Sequence, residues 1–331
     1  MTTRIPLSLA CWDYDRTRAL ADGRVRPVGV DLTYLELPIE DTFFRMLRHR
    51  EFDAAEMSLS SYVTHVGRGD PSLVAIPVFP SRSFRHHGIY VRADSPVRSP
   101  TELVGGIVGV PEYQLTANVW IRGILADRHG LPVDAVRYRT GGMHSPGRVE
   151  KQALDLPVGI EVAPIPVDRT LVEMLVAGEI DALYAPRTPA PMLAGEGTVR
   201  HLFANPRAEE EQYAADTGVF PIMHTVVLRR DVHAKHPWVA RSLLEAFAEA
   251  KALVEARMGE AAALPFMVPW LADEIARIRA LLGPDFWPYG LEPNRPVLTE
   301  FLRYAHEQGL TPRRLVPDEL FAPETLQAAV V

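Results

Sequence analysis

The chain has 331 residues, 47% of them hydrophobic and 23% charged, with a formal net charge of −7 at neutral pH. That length exceeds one ordinary core, so two domains are expected, and the acidic balance excludes a general nucleic-acid binder, whose affinity would rest on neutralising phosphates. The single cysteine, Cys11, excludes an intrachain disulfide and a multi-cysteine zinc site, and no run approaches the roughly 20 apolar residues of a membrane span.

Met1 to Trp12 contains an apolar run of signal-peptide length, but Pro6 and Ser8 interrupt it, Asp13 follows and no small-x-small cleavage site is present. The expectation is a cytoplasmic protein whose first strand is Ile5 to Cys11. Trp12-Asp-Tyr-Asp-Arg-Thr-Arg18 then occupies a strand-to-helix connection. Ligands sit at the carboxyl ends of strands in open α/β sheets, so Trp12, Asp13 and Arg16 either face a ligand or belong to a helix start capped by Asp15.

Val30 to Leu37 alternates as a strand, and Phe43, Phe44 and Leu47 recur at helical spacing within Asp41 to Arg48. Phe52 to Met57 reads as a short buried strand containing Glu56. It runs into Ser58-Leu-Ser-Ser-Tyr62, a helix N-terminus where the hydroxyls of Ser58, Ser60 and Ser61 form an anion site, one serine caps the helix, or both. The next two apolar runs, Leu73 to Phe79 and Gly88 to Val91, enclose a segment with Arg82, Arg85, His86 and His87. Guanidiniums fork onto carboxylates and imidazoles exchange protons near neutral pH, so this segment is either an organic-acid site or a solvated basic turn.

The pattern restarts at Ser99. A helical turn at Pro100 to Leu103 precedes a strand at Ile107 to Val110, and Tyr113 and Thr116 lead into a helix from Asn118 to His129. Val136 to Tyr138 is a strand and Gly141 to Gly147 a loop. Asp168 to Ala177 reads as a helix closed by Gly178, and Ile180 to Tyr184 as a strand; just beyond it Arg187, between Pro186 and Pro189, is either another carboxylate-binding candidate or part of a plain turn. Thr225 to Leu228 is a strand crossing back to the first unit, preceded by His224, which is either a satisfied core residue or, through its place at the crossover, a site residue. Helices follow after His236-Pro-Trp238, at Asp273 to Leu282 and at Pro296 to Gln308, and the aromatic loop Pro284 to Gly290 is expected to pack them together.

Strand-helix units, a second such unit inserted in the first, and a helical tail resemble the two-lobed α/β type II periplasmic-binding-protein fold. Lobe 1 is expected at 1–92 and 224–331, with the C-terminal helices, and lobe 2 at 93–223. The set Asp53-Ala-Ala-Glu-Met-Ser-Leu-Ser-Ser-Tyr62, Phe79-Pro-Ser-Arg82 with Phe84-Arg-His86, Tyr113-Gln-Leu-Thr-Ala117 with Trp120-Ile-Arg-Gly123, Gly218-Val-Phe-Pro-Ile-Met-His224 and His236-Pro-Trp238 resembles the 4,5-dihydroxyphthalate decarboxylase family.

That resemblance implies non-oxidative decarboxylation of a catechol dicarboxylate to a catechol acid such as protocatechuate, in a cleft between lobes, with a small aromatic acid as the partner. The corresponding expectation puts Arg82 and Arg85 on the carboxylates, helped by Ser58, Ser60 and Thr116. His86 or His224 is the proton donor, and Glu56 or Asp13 the base. No cofactor is expected; a divalent metal on His86, His87, His224 and Glu56 is the disfavoured variant. A cytoplasmic protein that binds or senses an organic acid without turnover is the alternative.

Overall fold

The computed structural model describes residues 4–327; Met1–Thr3, part of the N-terminal run discussed above, and the last four residues lie outside it. Eleven strands are assigned among the described residues: β1 (Ile5–Cys11), β2 (Val30–Glu36), β3 (Ala54–Ser58), β4 (Leu73–Arg82), β5 (Ile89–Arg92), β6 (Ile107–Val110), β7 (Arg137–Thr140), β8 (Val162–Pro164), β9 (Ala182–Tyr184), β10 (Val199–His201) and β11 (Ile222–Arg229). They form two sheets, ordered β2-β1-β3-β11-β4 and β10-β5-β9-β6-β7-β8.

The first sheet belongs to a unit made of the described residues up to Arg82, Gly218–Thr299, and those from Val316 on. β1 pairs in parallel with β2 and β3, whereas β11 runs antiparallel between β3 and β4. Leu7, Leu9, Ile76, Val78, Val226 and Leu228 are buried with Val239, Leu243 and Phe247 of the helix Trp238–Glu255. Burying each such side chain contributes about 1.5–3 kcal/mol, which fixes this helix on the sheet.

β4 is an edge strand, which is why it accommodates Pro77 and Pro80. Its carbonyls nevertheless find donors: Ala75 from Ala322 N, Pro77 from Gly290 N, and Phe79 from Trp287 Nε1. The aromatic loop at 284–290 therefore seals the edge of this sheet.

The second unit comprises Ser83–Thr217 and Glu300–Leu315. β6 pairs in parallel with β7 and β9, and β5 joins β9 and β10 antiparallel. Because β5 hydrogen-bonds within this sheet, the chain leaves the first unit after Arg82, earlier than the expected boundary after Arg92. It returns at Gly218 instead of His224.

Glu300–Leu315 was expected with the first lobe and belongs with the second unit. Phe301 and Tyr304 pack on Trp120, and Gly123 offers Tyr304 a surface where an added Cβ would stand 2.4 Å from the ring.

Element by element, the expected strands are present, β1 and β6 with the expected ends and the others with shifted ones, and the helix expected from Asn118 opens at Thr116. β8, β10 and the helix Pro206–Thr217 have no counterpart in the sequence reading. The first two are three residues long, below the length at which alternation can be recognised.

Candidate active site

In the first unit, β1, β3 and β4 run in one direction and β11 in the other, so the last residues of the former lie at the same edge of the sheet as the first residues of β11. Trp12, Tyr14 and Arg16 follow β1, Ser58 ends β3, Arg82 ends β4 and His224 lies near the start of β11. This is the edge where open α/β sheets hold ligands.

Glu56 and His224 meet through strand register. Val226 lies opposite Glu56, so His224, two residues earlier on β11, projects from the same face as its diagonal neighbour. His224 Nδ1 stands 2.6 Å from Glu56 Oε1. The same oxygen accepts a 2.6 Å hydrogen bond from the Tyr14 hydroxyl, while Oε2 accepts from Trp12 N at 3.0 Å and the Cys11 thiol at 3.4 Å.

Glu56 is completely buried. Burial alone would raise its carboxyl; bonds from His224, Tyr14 and Trp12 outweigh that and hold it below the usual carboxylate range. An ionised Glu56 can only accept, so His224 donates from Nδ1 and Nε2 is the nitrogen free to exchange a proton. No partner for Nε2 is found among the described residues, and the ring is partly exposed, with Phe43 edge-on at 4.9 Å. Burial and the Glu56 charge push the Cys11 thiol up, so it serves as a hydrogen-bond donor.

Two arginines flank this pair. The Arg16 guanidinium lies between the Tyr14 and Trp287 rings, 4.2 and 4.3 Å from their centroids, with Nε donating to Pro80 O and Nη1 to Asp15. Arg82 is 7% exposed and donates to Phe220 O, Pro288 O and Asn294 Oδ1; its Nε has no partner among the described residues. Burial pushes Arg82 down to about 9, with Tyr289 and Asp285 offsetting part of the shift, and it remains a cation at neutral pH. Trp12, 41% exposed, is the large apolar side chain at the end of β1.

The expected residues divide accordingly. Trp12, Arg16, Glu56, Ser58, Arg82 and His224 share the strand-end edge of the first unit. Ser58 caps the helix Leu59–Gly67 by accepting from Ser61 N, and Ser60 is fully buried in its first turn. Asp13 is held on the surface by Arg18 and does not join the Glu56 network. Glu56 has both oxygens occupied, which fits it to hold His224 and not to abstract a substrate proton.

Arg85, His86, Tyr113, Thr116 and Arg187 belong to the second unit. Arg85 is buried and pushed down to about 10 by burial, with Glu210 and Tyr90 opposing the shift. His86 packs among the rings of His129, Phe203 and Tyr213. Burial pushes it down to about 4, Glu210 offsetting part, so near neutral pH the ring is neutral and has no imidazolium proton to give. Its neighbour His87 bonds Glu210 at 2.7 Å.

Tyr113 is a packing residue: its hydroxyl donates to Gln308 O and its ring lies under Arg122 at 3.8 Å. Thr116 opens its helix in a buried position, and Arg187 is exposed beyond β9. The histidines of the disfavoured metal set thus fall in different units, and no group of three His, Cys, Asp or Glu suited to a metal ion exists among the described residues.

Sequence reasoning did not single out Tyr14, Trp287 or Asn294. Tyr14 lies in the segment already marked beside the first strand, and Trp287 in the aromatic loop; nothing around Asn294 distinguishes it.

No protein-family model matches the sequence. A 4,5-dihydroxyphthalate decarboxylase of Comamonas testosteroni is 40% identical over 326 residues, covering 98% of this chain and 99% of the relative. A protein of the same name from Pseudomonas putida is 43% identical over 213 residues, 64% of this chain and 83% of its own length.

Among solved structures, the periplasmic aliphatic sulphonate binding protein SsuA of Escherichia coli superposes with a TM-score of 0.55 at 16% identity, over 98% of this chain and 95% of that one. The desulfurization enzyme DSZB gives 0.55 at 16% identity over 98% of both chains. These structures establish the type II periplasmic-binding-protein-like fold. Matched over nearly its whole length by a relative at 40% identity, the chain belongs to the 4,5-dihydroxyphthalate decarboxylase family.

Proposed function

We propose that the chain is a carboxy-lyase that removes one carboxyl group of 4,5-dihydroxyphthalate as carbon dioxide and leaves protocatechuate, with His224 as the proton donor. The observation that carries this assignment is the pairing of His224 with the buried Glu56, which aims Nδ1 at a carboxylate and leaves Nε2 without a partner among the described residues.

Decarboxylating an aromatic ring needs a sink for the electrons of the breaking bond. In the proposed course, His224 Nε2–H protonates the ring carbon that bears the carboxylate, while the para hydroxyl feeds electrons into the ring and releases its proton to water. The resulting dienone expels carbon dioxide and regains aromaticity as a phenolate, which takes a proton back from water, and His224 is reprotonated from solvent. Glu56 keeps its charge throughout and faces the imidazolium whenever it forms. Arg16 and Arg82 each take a carboxylate; both are held rigid before substrate arrives, so little reorganisation is needed on binding. Trp12 supplies an apolar face for the ring.

No metal or organic cofactor enters this proposal, and dialysis against EDTA is expected to leave the rate unchanged. The test is to incubate the purified chain with 4,5-dihydroxyphthalate and separate the products by chromatography. Stoichiometric protocatechuate supports the assignment; recovery of intact substrate that binds the protein rejects it in favour of a binding role.

A further inference from the structure

Arg82 is surrounded by neutral acceptors. Two backbone carbonyls, Phe220 O and Pro288 O, and the amide oxygen of Asn294 take its Nη hydrogens. Asn294 is itself fully buried, and its other end donates from Nδ2 to Pro288 O at 3.0 Å and Gly290 O at 2.7 Å. One amide therefore fastens the guanidinium to the 288–290 backbone.

The neighbouring buried cation is treated differently. Lys251 is bonded to the carboxylates of Glu255 and Asp285 as well as to Trp287 O. An aspartate has nearly the shape of asparagine and would give Arg82 a counter-ion of the same kind, yet the position holds a neutral group.

We propose that Asn294 is a positioning and specificity residue: it locks Arg82 in place through a neutral acceptor, so that the guanidinium keeps an uncancelled charge for a carboxylate of the dianionic substrate. The inference rests on the reading that Arg82 binds such a carboxylate. A buried cation whose hydrogen-bond acceptors are all neutral is costly, and a ligand anion recovers part of that cost on binding. The depressed Arg82 value, driven by burial, accords with an electrostatic deficit at this point. The Arg82 Nε is a buried donor with no acceptor among the described residues, a second sign that the hydrogen-bonding capacity of the guanidinium is not exhausted within the protein.

The test compares Asn294→Asp, Asn294→Ala and Arg82→Met in the full chain, reading kcat and KM for 4,5-dihydroxyphthalate. Asn294→Asp should raise KM about 10- to 100-fold, the range for losing a charge-assisted bond, with a much smaller change in kcat. Asn294→Ala, which loosens Arg82 without neutralising it, should raise KM less. Equal KM increases in the two variants, or an unchanged KM in Asn294→Asp, would overturn the proposal. Should Asn294→Asp fail to fold, the Ala variant decides, and an unaltered KM there overturns the positioning role.

Phthalate, a dicarboxylate without hydroxyls, separates this inference from the reading beneath it. It should raise the melting temperature of the wild-type chain and not that of Arg82→Met. Equal stabilisation of both would remove Arg82 from substrate binding altogether, whereas an Arg82 effect with an inert Asn294 removes only the present inference.

Discussion

Glu56→Gln isolates the contribution of a single negative charge, because the amide keeps the shape of the side chain while offering His224 no ionised acceptor. Turnover should fall about 10²–10³-fold, with substrate affinity changed less, since Glu56 has no oxygen left for a ligand. Steady-state kinetics on that variant checks the assignment; a wild-type kcat would leave the pair without a role in proton transfer. The pH dependence has a defined sign. Glu56 is held below the usual carboxylate range, so its contribution to stability is fully present above that range and is lost as pH falls through the lower, folded value.

His86 adds acid sensitivity of another origin. Its value falls from 6.5 to about 4, chiefly through burial, so the unfolded chain binds a proton that the folded one refuses. Stability should decline as pH drops below about 6.5 and down to about 4, and His86→Leu should flatten that decline in melting curves recorded across the range. Glu56, His86 and His224 all stand out in the sequence as groups able to move protons. Their different fates do not: the Glu56–His224 bond spans 168 positions and depends on the register of β3 against β11, while the aromatic cage of His86 is assembled from distant helices and loops. Local composition carries neither piece of information.

At the scale of elements, the loop at 284–290 connects sheet edge, arginines and helix. Trp287 and Gly290 bond to β4, the Trp287 ring stacks on Arg16, and Pro288 O accepts from Arg82. Lys251 ties this loop to the helix Trp238–Glu255 through Asp285 and Trp287 O. Lys251→Met should cost about 1–3 kcal/mol of stability, because Asp285 and Trp287 O lose a charged donor. Both arginines would be less well placed, so KM should rise with little change in kcat. Denaturant titration together with kinetics checks both effects; a stability loss with unaltered KM would confine Lys251 to a structural part.

The sequence shows this loop as aromatic and assigns it to helix packing. Its actual role follows from the open carbonyls along β4, and strand order at a sheet edge cannot be read from alternation. The same limitation placed Arg82 on a loop with Arg85. The apolar run ends at Phe79, whereas the edge strand tolerates Pro80 and continues to Arg82.

Across the whole molecule, the two-sheet architecture was legible because the strand-helix pattern restarts after Ser99 and because a set of motifs, each weak alone, spans most of the chain. The unit boundaries were less so. β5 lies between the basic segment and the restart, and only its hydrogen bonds to β9 and β10 assign it to the second unit. Glu300–Leu315 resembles any amphipathic helix end in sequence; its membership is decided by Phe301, Tyr304 and Gln308 packing on Trp120 and Arg122.

The central claim is that this chain decarboxylates its ligand by a proton from His224, and release of carbon dioxide tests it most directly. Wild-type protein mixed with 4,5-dihydroxyphthalate should release one equivalent per substrate consumed. His224→Ala should do so about 10²–10⁴-fold more slowly while still binding the substrate. Binding without carbon dioxide from the wild type, or release by His224→Ala at the wild-type rate, would contradict the account.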